Sequence, residues 1–148
     1  MTDIALAKET LLRQRLSLVV AKSGEVIFTS KASGVIGLIQ AIKFRGSKLA
    51  RATVADRVMG KAAALLCVYS RVSDVYAVVL SEPGKQVLEK SRIPTEYESL
   101  VPNILDRNRT GVCPFEKLTE NIESSEQAYQ VIADCLQHKA PHSIGLGE

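Results

Sequence analysis

The chain has no tryptophan, and aromatic residues make up only 5% of its 148 positions. Its core must therefore be built from aliphatic side chains and alanine. Cysteine is scarce and odd in number: Cys67, Cys113 and Cys135 have no short pairing. That pattern fits reduced thiols in a reducing compartment rather than a disulfide framework. Histidine occurs only twice, as His138 and His142 near the far end. Two isolated imidazoles are too few for a metal site, so neither metal nor cofactor is expected. No apolar run approaches membrane-spanning length, which predicts no membrane insertion. The opening stretch, MTDIALAKETLLRQR, carries charges throughout and lacks a signal-peptide pattern, so a cytoplasmic location is expected. Blocks of one charge sign are also missing. A formal charge of +3 with an estimated pI of 8.8, spread along the chain, is too weak a basic excess to argue for nucleic acid as a partner.

What is present describes a globule. The hydrophobic content of 46% supports a compact core over a disordered chain, and the length suits one domain. We expect that domain over residues 1–138, with a flexible tail at 139–148. No repeat, linker or second domain is visible.

The stretch from Thr53 to Tyr69, TVADRVMGKAAALLCVY, organises the rest. Thr53 to Met59 is β-rich, with Asp56 near its end. Gly60-Lys61 then opens an Ala-rich run, apolar nearly all round, which predicts a helix buried on several sides. Strand, tight turn and central helix is where α/β proteins place ligands.

Upstream, Ile4, Ala7, Leu11 and Leu12 predict a packing helix over Thr2 to Arg13. Leu16 to Ala21 and Glu25 to Thr29 are β-rich on either side of Lys22-Ser23-Gly24, which predicts a hairpin. Ser33 is placed to cap a helix carrying Val35, Leu38, Ile39 and Ile42 and ending near Arg45-Gly46. Downstream, the apolar run within Asp74 to Leu80 suits a central parallel strand covered on both faces. Ser81-Glu82-Pro83 starts a further helix, with the acid at its positive end. Tyr97 to Val101, flanked by Pro94 and Pro102, reads as an edge strand. Leu105 to Val112 reads as a loop, Cys113-Pro114 as a helix start, and Ser124-x-x-Gln127 as a capping box for a final helix. The order predicts a three-layer α/β/α sandwich on a mixed sheet of about five strands beginning with a hairpin.

Three segments carry a family resemblance: Ser33-Gly34-Val35, Asp56 to Ala64, and Asn108 to Glu116 (NRTGVCPFE). Together with the element order they resemble a small bacterial family of unknown function that has a cytidine deaminase-like fold. The resemblance implies that fold but no activity. Zinc deaminases hold their metal with His or Cys at one helix start and two Cys at the next, beside a proton-transferring Glu. By element order those places hold Ser33-Gly34-Val35 and Gly60-Lys61-Ala62, which cannot ligate zinc. There is no H-x-E and no C-x-x-C, so zinc-dependent deamination is not expected.

The candidate site residues follow from position. Gly60 and Lys61 offer helix-start N–H groups and a full positive charge to an anion, against the alternative of a solvated surface lysine. They do not form a Walker A loop, because Ala62 stands where Ser or Thr is required. Asp56 near its strand end can bind a ribose hydroxyl, pair with Lys61 or act as a base; the plainer alternative is an ion pair with Arg57 or Arg51, or simple exposure. Ser33 and Gly34 make a second helix start at the same sheet edge, so two anion-binding ends side by side would suit a diphosphate or nucleotide. Cys113 at a helix start is a candidate reactive thiol, helped by Arg107 and Arg109, with Glu116 either capping that helix or opposing the thiolate. The inert structural thiol is the competing account.

The first expectation is a non-catalytic or weakly catalytic domain binding a nucleotide-like ligand. Ser33, Gly34, Gly60 and Lys61 would hold phosphate, Asp56 ribose, and the Asn108 to Glu116 loop would close the site. The alternatives are an enzyme of transferase or hydrolase type using Cys113 as catalytic nucleophile with Asp56 or Glu116 moving the proton, and a structural or partner-binding module. The apolar helices also make a homodimer a candidate state, with no surface singled out.

Overall fold

The computed structural model describes residues 1–32, 34–106, 108 and 111–138. The expectations placed on Ser33, Arg107, Arg109, His142 and the 139–148 tail lie outside those residues. In order, the elements are α1 (Asp3–Arg13), β1 (Leu18–Lys22), β2 (Glu25–Ser30), α2 (Val35–Arg45), β3 (Thr53–Met59), α3 (Lys61–Ser70), β4 (Asp74–Ser81), α4 (Glu82–Lys90), β5 (Thr95–Val101), α5 (Pro114–Leu118) and α6 (Ser125–His138).

The strands form one sheet of five in the order β2-β1-β3-β4-β5. β1 pairs antiparallel with β2 and with β3, while β3, β4 and β5 run parallel. β1 is thus the one reversed strand, and β2, β3, β4 and β5 all end at the same edge. The mixed sheet beginning with a hairpin is the predicted one, and β5 is the edge strand that its flanking prolines suggested.

Two layers of helix cover the sheet. Ala7 and Leu11 of α1 pack with Val19, Ala21, Ala55 and Tyr76 on one face. The opposite residues, Leu18, Val20, Val54, Val75 and Ala77, pack with α2 and α3 in the main core. This is the period-2 alternation of strands buried on both faces. α3 touches α2, α4, α5 and α6. Its residues Ala62 to Cys67 are all buried, as an apolar-all-round helix requires. Leu66 is fully buried there, and truncating such a side chain to alanine costs about 2–5 kcal/mol through lost transfer energy and the cavity left behind.

Local chemistry sets several helix starts. Thr2 Oγ1 accepts from the Ala5 N–H at the start of α1. Ser81 Oγ accepts from Gly84 at the start of α4, with Pro83 in its first turn. Ser124 Oγ accepts from Gln127, 3.2 Å away, so the capping residue read from the sequence does cap α6.

Candidate functional site

Because β2 and β3 end at the same edge, the helices that follow them, α2 and α3, both begin there. Between these starts, at the end of β3, lies a cavity of about 670 Å³. It is lined by Ser17 before β1, Gly34 and Val35 of the α2 start, Asp56 to Val58 of β3, Gly60 and Ala63 of the α3 start, Ile104 to Asp106, Asn108, and Cys113 to Glu116. Open α/β sheets bind ligands outside the carboxyl ends of their strands, which is where this cavity lies.

The far wall comes from the chain after β5. Leu105 and Val112 form an isolated antiparallel bridge, and Cys113 donates its N–H to Ile104 O at 2.9 Å. The segment expected as a plain loop is therefore closed on itself, and it delivers Cys113 and α5 to the cavity. Phe115 of α5 is buried in the main core.

The α3 start is already occupied. Glu116 Oε1 accepts from the Lys61 N–H at 2.7 Å and Oε2 from the Ala62 N–H at 3.0 Å. Its carboxylate fills the place where a phosphate was expected, using the same free N–H groups and helix dipole. Gly60 makes this possible: a Cβ there would overlap the Glu116 carboxylate, with Oε2 only 2.7 Å away. Burial raises the Glu116 pKa, while the N–H groups of Ala62 and Lys61 and the Lys61 charge oppose that rise. Glu116 thus caps a helix 55 positions away, not its own.

Lys61 points elsewhere. Its Nζ donates to Glu120 O at 2.9 Å and to Glu123 Oε2 at 3.1 Å, and the side chain is only 12% exposed. It does not line the cavity. The α2 start is different. Gly34 precedes it at φ 58°, ψ −134°, with no side-chain cap and no acidic residue in the first turn. That left-handed φ is strained for residues other than glycine. Among the described residues, the helix starts at this cavity without a side-chain cap are those of α2 and the five-residue α5.

Asp56 is 1% exposed and lines the cavity. Burial pushes its carboxyl from the ordinary 3.8 up to about 8, partly offset by the backbone N–H groups of Val58 and Arg57. Its Oδ2 has no hydrogen-bond partner among the described residues. The alternative of an ion pair with Arg57 is not realised: Arg57 Nε donates to Leu16 O at 2.9 Å and Nη2 to Leu11 O at 3.2 Å. A strand residue on the α2–α3 face, paired across from Leu18 and Ala77, would ordinarily be apolar.

Cys113 is half-buried as the residue before α5. The position suggested a lowered thiol pKa, yet burial raises it. The N–H groups of Phe115 and Glu116 lower it by less, and the carboxylates of Glu116 and Asp106 add to the rise. α5 has only five residues, so its dipole is weak. Cys67 lies buried in α3, and burial and then the Asp56 charge push its thiol up.

The structure thus brings together Gly34, Asp56, Gly60, Asn108, Cys113 and Glu116 and leaves Lys61 outside. The sequence reading did not anticipate the apolar walls at Val58, Ala63, Ile104 and Leu105. Val58 (37%) and Leu105 (49%) are exposed large hydrophobic residues, a signal visible only once the fold is known. Among the described residues no group of three or more His, Cys, Asp or Glu is arranged to hold a metal ion. Among the described residues no helix is long and apolar enough to cross a membrane.

Comparison with known proteins gives the same architecture. Residues 6–136 match the family described as TM1506, domain of unknown function (DUF1893). A crystal structure of a DUF1893 family protein (TM1506) from the bacterium Thermotoga maritima is similar, with a TM-score of 0.82 and 27% sequence identity over 88% of each chain. No curated protein matches the chain.

Proposed function

The chain belongs to the DUF1893 family, and from the cavity at the end of β3 we propose that it is a binding domain for a nucleotide-like, phosphate-bearing small molecule. The observation that carries this is one cavity joining an uncapped helix start, at Gly34 and Val35, to a buried carboxyl, Asp56, whose Oδ2 lacks a partner. The first is a donor cluster suited to an anion. The second awaits a polar group on the same ligand, because a buried polar atom left unsatisfied costs about 1–3 kcal/mol. Apolar walls between polar ends match ordinary small-molecule sites.

Relative to the expectation from sequence, the phosphate moves from Gly60-Lys61 to the α2 start, since the Glu116 carboxylate fills the α3 start. Gly60 then serves by letting Glu116 approach, and Asn108 and Glu116 serve as wall and latch. The catalytic use of Cys113 draws less support, because its thiol is raised rather than lowered. A cytoplasmic setting accords with Cys67, Cys113 and Cys135 being free thiols.

Thermal shift with nucleoside monophosphates and the corresponding nucleosides tests the proposal. Ligand at 100 times its Kd stabilises by about 2.7 kcal/mol, roughly 5–10 °C for a chain this size. Monophosphates should shift Tm more than nucleosides, and Lys61→Ala should keep the shift. No shift across the panel at millimolar ligand would overturn the proposal and leave a structural module.

A further inference from the structure

The group that Asp56 receives can be specified further. Its Oδ2 is buried without a partner, while the same carboxyl accepts from the backbone N–H groups of Val58 and Arg57. That engagement limits rotation of the carboxyl toward another partner. Among the described residues, Arg57 is committed to the carbonyls of Leu16 and Leu11, and Lys61 to Glu120 and Glu123. Neither pairs with Oδ2, which is left open to a ligand.

The surroundings narrow its chemistry. Val35, Val58, Ala63, Ile104, Leu105 and Phe115 give the cavity apolar walls. The carboxyls of Glu116 and Asp106 line the same space. A phosphate or carboxylate brought to Asp56 would add negative charge beside those acids. A flat apolar ring fits the walls, and a basic nitrogen on its edge fits the acid. The ionisable groups around Asp56 are Cys67 on α3, Arg57 on its own strand, and Asp106, Cys113 and Glu116 in the cavity wall.

Resting on the ligand-binding proposal above, we infer that Asp56 takes a nitrogen base: an amidine-like edge of an aromatic ring that shares one proton with Oδ2. Burial holds the Asp56 proton up to about 8. Near neutrality the free acid is protonated and an amidine arrives as its cation, so pairing releases the Asp56 proton to solvent and leaves carboxylate facing cation.

Three probes of one shape separate the cases: benzamidine, benzamide and benzoate, titrated into the full chain at pH 7 and followed by NMR. Benzamidine should bind at least roughly tenfold more tightly than benzoate, the ratio expected for one charge-assisted hydrogen bond. Asp56→Asn should remove that preference. The Asp56 side-chain carboxyl 13C resonance of the unaltered chain should move to its ionised position on adding benzamidine, a readout that needs no variant. Equal or tighter benzoate binding, or a carboxyl resonance that stays in place, overturns the inference. If nucleotides bind and benzamidine does not, the inference falls while the ligand-binding proposal stands. If neither binds, both fall.

Discussion

Asp56 carries the sharpest consequence at the scale of single residues. In the unfolded chain its carboxyl ionises near 3.8, while in the folded chain burial holds the proton up to about 8. Between those values unfolding releases a proton, so this residue makes stability fall as pH rises from about 4 to about 8, with no further loss above. At ~1.4 kcal/mol per pH unit the total is on the order of 5 kcal/mol. Asparagine fills the same space and does not titrate. Denaturant unfolding of the wild type and Asp56→Asn at pH 5, 7 and 9 should show the variant gaining on the wild type at each step. Parallel curves would show that the Asp56 carboxyl is ionised in the folded chain at pH 7.

At the scale of elements, the junction of α3 and α5 is the distinctive feature. α5 is a five-residue helix, too short to persist on its own. Phe115 anchors it in the core, and Glu116 ties it to the α3 start through two charge-assisted hydrogen bonds. Lys61 ties the turn after α5 to the same helix through Glu120 and Glu123. The latch requires glycine at position 60, since a Cβ would occupy the carboxylate's place. Gly60→Ala should therefore expel Glu116 and destabilise by about 2–4 kcal/mol, from hydrogen bonds to a charged group worth about 1.5–3 kcal/mol each before α3 finds water as a substitute. In a Glu116→Ala background the same change should cost well under 1 kcal/mol, because the clash and the bonds are already gone. Additive costs in that double-mutant cycle would show that Gly60 acts through something other than the latch.

For the molecule as a whole, burial is uneven across the sheet. β3 is buried for most of its length, whereas β5 pairs on one side only and its residues Glu96 to Leu100 are exposed. Amides in buried central elements open only on global unfolding, while those at an exposed edge open by local fluctuation. Native-state hydrogen exchange should thus find Val54 to Asp56 and Val75 to Ala77 protected to the global limit, and Tyr97 to Leu100 exchanging at least roughly tenfold faster. Equal protection in β3 and β5 would indicate that β5 is covered in solution, as in a homodimer pairing through this edge.

The sequence by itself determined what depends on neighbours along the chain. The β-rich run from Leu16 to Ala21, helical spacing in α1, the apolar-all-round run of α3 and the hydroxyl of Ser124 each act over a few residues, and each formed the element they indicate. The run of strands and helices then admitted few topologies, which is why the mixed sheet was legible. Asp56 could be marked as an acid within an apolar strand, although it lies at the middle of β3 and not near its end, and Gly60 and Cys113 as residues at helix starts. Their partners could not. Glu116 stands three residues after Cys113, where a local cap would put it, yet it serves α3, and Lys61 turns from the expected anion to Glu120 and Glu123. A carboxylate at a helix start gives the same kind of hydrogen bonds whether it comes from three residues away or from more than fifty, and spacing along the chain does not distinguish the two. Only the packing of α5 against α3 selected the distant one, and that packing decided which helix start the cavity presents to a ligand.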